Sequence, residues 1–312
     1  MHPALSIIFF TTASGAGFAL LTLTGIAVPL GLLPSNPGFG ALTLATAGIL
    51  AVAGLLSSTL HLGRPERAWR AFSQWKTSWL SREGVLSVAA FIPAAVFAIG
   101  WVIFGCVGGV SGLCGVLAGA LAVGVVYCTA MIYRSLKPIR QWHNRWVVPN
   151  YFALALMSGL LLLDLIVRFW ARPVAVTALT IVVIAVAWWL KESYWRFIDT
   201  ESAPSTVASA TGLGRRGPVR MLEPPNTEEN YLLKEMGFRV ARKHRLRLRF
   251  VVRIAGFAVP LLATAAALAG VVPLLAALLA VLSAGLGLVV ERWLFFAEAR
   301  HTVMLYYGAE TV

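Results

Sequence analysis

The chain has 312 residues, of which 59% are hydrophobic and only 12% charged, with 26 Lys and Arg against 13 Asp and Glu. With a mean hydropathy of +0.79, this composition excludes an ordinary soluble domain. The net charge of +13 raises nucleic acid as a partner, but the basic residues gather beside apolar runs, as inner-face membrane anchors do, and nucleic acid is set aside.

A helix needs roughly 20 apolar residues to cross a bilayer, so residues 1–312 suffice for one all-α, polytopic membrane domain. The first 33 residues carry no basic leader region and no clear small-residue cleavage site, and are read as a retained first span; Ser14, Gly15 and Gly17 suit close helix packing there. Pro34, Pro37 and Gly38 make a turn, and span two is expected over about 40–60.

Residues 61–84, HLGRPERAWRAFSQWKTSWLSREG, lie where the chain leaves the membrane and re-enters it. Trp69, Phe72, Trp75 and Trp79 recur at three- and four-residue spacing, with Arg67, Arg70 and Gln74 opposite, which predicts a short amphipathic helix in the headgroup plane, aromatic side down. His61 and Glu83 stand at the two membrane borders of this stretch. An imidazole and a carboxylate under an aromatic roof suit proton exchange with a lipid-soluble ligand. The plainer alternatives are a structural interfacial histidine and a carboxylate that merely caps span three.

Span three is expected over about 84–104, bent at Pro93, and span four over about 113–133, after a glycine-rich turn. A second polar, Trp-bearing loop, 134–146, leads to span five (about 147–169) and, past Arg172 and Pro173, to span six (about 174–190). Asp164 and Arg168, four apart, predict an intrahelical ion pair, with a proton exit route as the sharper alternative. A hydrophilic, basic insertion covers about 191–249; within it Thr227 is the expected N-cap of a helix running into span seven, about 250–269. Span eight ends near Val290, and eight spans put both termini on one side. Gly212 to Gly217 match GxGxxG in form, but no strand precedes them and Pro218 follows, so the dinucleotide reading fails.

Cys106, Cys114 and Cys128 show no CxxC spacing and are read as small buried side chains, with neither disulfides nor an iron–sulfur site. No metal site is expected. Haem held by two histidines needs them on facing helices inside the bilayer. All five, His2, His61, His143, His244 and His301, fall on or near one side, so no haem is expected.

The segments HLGRPERAWRAF and LSREG, together with eight spans, resemble the membrane anchor subunits of the dimethyl sulfoxide reductase family, the DmsC family. The opening MHPALSIIFFTTASGAGFALL and the segment SLKPIRQWHN are similar to the branch serving cytoplasmic, quinone-linked sulfite dehydrogenase. The resemblance implies a haem-free, quinone-reactive anchor that is not itself catalytic for the substrate. Its partners would be an iron–sulfur subunit and a molybdopterin catalytic subunit, which carry the clusters and the molybdenum. It maps the family's quinone-reactive histidine onto His61 and its acidic neighbour onto Glu83, with Arg64 and Trp69 beside them. Arg67, Arg70, Arg215, Arg216 and Arg220 are the expected docking residues. A dimethyl sulfoxide reductase-type anchor that oxidises quinol, an inert anchor and a secondary transporter remain as alternatives; transporters favour internal repeats and mid-bilayer polar groups, which the sequence lacks.

Of the 26 Lys and Arg, 24 fall on the side of the termini, and 11 against 2 without the long insertion. The positive-inside rule makes that side cytoplasmic, in a bacterial inner membrane. Reporter fusions at Gln141, Gly212 and the C-terminus should therefore read as cytoplasmic, and fusions at Pro34, Gly109 and Arg172 as external. The reverse pattern would restore a reductase docked outside.

Overall fold

The computed structural model describes residues 5–59, 64–200, 205–220, 222–223 and 244–307. Among these, eight helices are long and apolar enough to cross a membrane: α1 (Leu5–Ala27), α2 (Pro37–Ser57), α3 (Trp79–Ile103), α4 (Gly109–Arg134), α5 (Val147–Val167), α6 (Val174–Thr200), α7 (Arg245–Leu268) and α8 (Pro273–Ala297). At about 1.5 Å per residue each matches or exceeds the roughly 30 Å hydrocarbon core. Large apolar side chains such as Ile49, Ile92, Val182 and Leu262 point outward along these helices, as lipid-facing surfaces require.

α1 and α5 are the most enclosed spans. α1 packs on α2, α4, α5 and α8, and α5 carries α6 against it, while α3 pairs with α4 and α7 with α8. Small residues permit the approach. A Cβ on Gly17 would stand 2.6 Å from the Ala47 carbonyl oxygen, and one on Gly54 2.7 Å from the Ser14 nitrogen, so α1 and α2 touch backbone to backbone. Two apolar cores result. One, with Phe18, Phe39, Phe97 and Trp101, lies among α1–α5; the other, with Tyr151, Trp195, Phe257 and Phe295, lies mainly among α4–α8.

Several boundaries differ from expectation. α6 and α8 were expected to stop at the first charges, Lys191 and Glu291, but run on to Thr200 and Ala297, because those two side chains pair with each other inside the bundle. α2 starts at Pro37, where the Asn36 side chain accepts from the amides of Gly38 and Phe39. Pro93 lies inside α3, whose last turn widens to π geometry over Ile99–Ile103; α7 has a π segment in its middle, over Val252–Ala258. The 134–146 loop is not merely polar: Ile139 and Trp142 are buried beneath the bundle, and Trp142 donates to the Phe295 carbonyl at 3.0 Å.

Asp164 and Arg168 form the expected intrahelical pair at 2.8 Å, with Thr177 of α6 bonded to both. All three cysteines are free. Cys128 is buried, but Cys106 is exposed in the turn after α3, a correction to the expectation of burial. Thr227 lies outside the described residues.

Gly17→Ala should lower the thermal midpoint in mild detergent by the equivalent of about 1–3 kcal/mol, the usual range for overpacking. Gly48→Ala, in a helix with nothing within 4 Å of the new methyl, should be neutral or slightly stabilising. Equal midpoints for the two variants would refute the close α1–α2 contact.

Candidate functional site

Residues Pro65–Gln74 form the short helix expected here, and it is of the 3₁₀ type. Pro65 sits at its first position, where the missing N–H costs nothing, and its i→i+3 turns place Arg64, Arg67, Ala68 and Ala71 toward the bundle. They roof a cavity of about 550 Å³. Ile7 and Phe10 of α1, Leu55, Ser58 and Thr59 at the end of α2, Leu80, Ser81, Glu83 and Gly84 of α3, and Ile132 and Tyr133 of α4 complete its walls. Phe72 folds against α3 because residue 84 is glycine: a Cβ there would meet its ring at 2.9 Å. Volume and lining, mostly apolar with few polar groups, are those of a small-molecule site.

Glu83 is 2% exposed. It does not cap α3; Ser78 does, accepting from the Ser81 amide. Glu83 stands one turn further in, where its carboxylate accepts a hydrogen bond from the Thr129 hydroxyl of α4. An isolated carboxylate in this position would be costly, so the threonine holds the group at the cavity wall.

The sequence-derived site is partly reassembled. Glu83 and Arg64 line the cavity, and so does Arg67, which was assigned to docking. His61 lies outside the described residues; Thr59 and Arg64, on either side of it in the chain, both line the cavity. Trp69 does not: it is 66% exposed, with the Arg70 guanidinium 5.6 Å from its ring centre. Arg215, Arg216 and Arg220 are exposed. Among the described residues no group of three or more His, Cys, Asp or Glu could hold a metal.

The sequence reading missed a second polar layer. Lys191 of α6 pairs with Glu291 of α8, whose other oxygen takes Arg292 Nε at 2.5 Å; all three side chains are 5% exposed or less. Toward the helix ends Arg249 bridges Glu298 at 2.7 Å and Asp199 at 2.5 Å, and Arg253 holds Glu192 at 2.6 Å. The available signal was a lysine ending one apolar run and a Glu-Arg pair ending another. Read singly, each marks a helix end.

Residues 1–308 match the family model described as DMSO reductase anchor subunit (DmsC). The chain belongs to the DmsC anchor family. Among curated relatives of this family, a sulfite dehydrogenase subunit from Allochromatium vinosum is 34% identical over 330 aligned positions, covering 98% of this chain and 99% of that one. No solved structure gives a significant match. The DmsC-family membership and the eight spans agree with an anchor role in a multi-subunit oxidoreductase.

Arg82 fixes the exit of the roof. Its guanidinium donates to the carbonyls of Trp75 at 2.9 Å and Lys76 at 2.6 Å, and lies 4.3 Å from the Trp79 ring centre. Arg82→Ala should speed amide hydrogen exchange across residues 65–78 while shifting the global thermal midpoint little, because the lost bonds are local and near the surface. Unchanged exchange in that segment would show that the roof is held by other contacts.

Proposed function

We propose that this DmsC-family chain anchors a sulfite-oxidising molybdopterin/iron–sulfur enzyme and that the roofed cavity receives the quinone ring. The cavity carries the reading: an apolar slot at the membrane border, walled by one buried carboxylate and flanked by the loop that bears His61. Ile7, Phe10, Leu55, Phe72 and Ile132 offer a flat ring its apolar walls, and Glu83, Arg64 and Arg67 are the charged groups of the lining. The name of the Allochromatium relative supports sulfite as the partner's substrate.

A molybdopterin subunit would supply the two-electron oxidation of sulfite by water to sulfate, releasing two protons, and an iron–sulfur subunit would carry the two electrons to the quinone. This chain's work is positional and protonic. His61 hydrogen-bonds one quinone oxygen and supplies a proton, and Glu83 supplies or relays the second from the aqueous side. Arg64 and Arg67 frame the mouth. The exposed Arg70, Arg215, Arg216 and Arg220 present positive charge to the iron–sulfur subunit on the cytoplasmic side. Donor and quinone then share one face, so no electron path across the bilayer is required.

The family's description as a DMSO reductase anchor favours a second reading, quinol oxidation for an external reductase. The concentration of cations on the roof's side argues for the first.

The test is the ratio of quinone-linked to artificial-acceptor activity in membranes of matched complex content. His61→Ala should lower it by roughly 10²–10⁴, the usual range for loss of a general acid; Glu83→Gln should lower it less, and both should leave sulfite oxidation by a water-soluble acceptor intact. Charge reversal at Arg215, Arg216 and Arg220 should instead release the partner subunits in salt. An unchanged ratio in both His61→Ala and Glu83→Gln would remove the cavity from the mechanism.

A further inference from the structure

Behind the cavity wall, on the far side of Thr129, lies a second and much smaller cavity of about 30 Å³. Thr11, Thr12 and Ser14 of α1, Thr129 of α4, Tyr151 and Ser158 of α5 and Arg292 of α8 line it, among apolar neighbours. Thr129 is therefore shared: its hydroxyl bonds the Glu83 carboxylate, and the residue also lines this inner chamber. The volume is enough for about two water molecules.

The chamber's chemistry has a direction. Thr11, Thr12, Ser14 and Ser158 spend their hydroxyl hydrogens on carbonyls of their own helices, at 2.6–3.0 Å, so their oxygens are left to accept. The Tyr151 hydroxyl is buried there without a hydrogen-bond partner, and the Arg292 guanidinium, a donor only, lies 4.3 Å from the Tyr151 ring centre. Waters in the chamber would accept from arginine and phenol and donate to the threonine and serine oxygens.

Charge adds a second reason. Lys191, Glu291 and Arg292 make a buried triad of two cations and one anion. Glu298 lies near enough to Lys191 to add a second anion to the group, and Arg292 is the one member that lines the chamber, so it is the cation the chamber offers to an anion held by Thr129.

We propose that this chamber is a water site that couples Glu83 to Arg292, giving the carboxylate left after proton donation its counter-charge. The inference rests on the quinone reading above and assigns new roles to Thr129, Tyr151 and Arg292. When Glu83 passes its proton to a quinone oxygen, an anion is left in an apolar wall while the ring blocks the cavity mouth. A line of hydrogen bonds then runs from Arg292 through water to the Thr129 oxygen, and from the Thr129 hydroxyl to Glu83, every donor pointing at the carboxylate. When Glu83 regains a proton, the Thr129 hydroxyl has a second acceptor ready, the Val125 carbonyl at 3.0 Å. The threonine thus follows the charge of Glu83, and Thr129 acts as a positioning residue.

The test uses the assembled complex. Thr129→Val keeps the shape and removes the hydroxyl; quinone-linked kcat should fall roughly tenfold or more, the worth of a charge-assisted hydrogen bond, with the KM for quinone unchanged. Thr129→Ser should restore kcat, and Tyr151→Phe, which removes one oxygen and keeps the ring packing, should give a smaller loss of the same kind. A density map that resolves solvent should show one or two waters within hydrogen-bond distance of Thr129 and Tyr151. A dry chamber, or wild-type kcat in both Thr129→Val and Tyr151→Phe, overturns the proposal. If Glu83→Gln is impaired in the same assay while these two are not, only the water site is refuted; if Glu83→Gln is also normal, the quinone reading falls with it.

Discussion

Hydrocarbon offers no partner to a polar group, and that single fact arranges this molecule. Most buried charged side chains within the spans are found where another helix supplies the complement: Glu83 on α3 against Thr129 on α4, Lys191 on α6 against Glu291 on α8, Arg249 on α7 against Glu298 just past α8. These contacts fall toward one face of the bundle. The opposite half is held by small-residue contacts and aromatic packing, with the Asp164–Arg168 pair as its ionic exception. The bundle is therefore dry at one end and internally polar at the other.

Such an arrangement suits a site that must handle protons at the border of lipid and water. Buried ion pairs are weak sources of net stability, since desolvation cancels most of their attraction. Their contribution is to position: Glu291 holds Lys191 and Arg292 at once, tying α6 to α8 at a defined height. Arg292 in turn reaches the surface of α5 at Tyr151. The first four helices supply the cavity and the last four supply the charges that stand behind it.

Much of this was legible from residue order. Apolar runs of adequate length predicted eight spans, because lipid allows few other ways to satisfy a backbone. The motif at 61–84 pointed to Glu83 and Arg64, and the fold places both on the wall of one cavity. The roof's geometry was not legible: an aromatic residue at every third or fourth position fits either helix type, and the 3₁₀ form moved Arg67 to the cavity and left Trp69 outside it. Nor was the inner layer. Lys191 and Glu291 are 100 residues apart, and a charge at the end of an apolar run reads as an exit from the membrane unless its partner is known.

The central position of α1 has a consequence for how the molecule is made. Synthesis delivers this helix first, yet its neighbours are α2, α4, α5 and finally α8, so its surroundings are completed last. Until then part of its surface faces lipid, and its sequence permits that: Thr11, Thr12, Ser14, Thr22 and Thr24 each return their hydroxyl hydrogen to a carbonyl four residues back. A helix that satisfies its own polar groups can wait for partners without a chaperoning contact, and the small residues that make it a good centre are left bare to receive each arriving span.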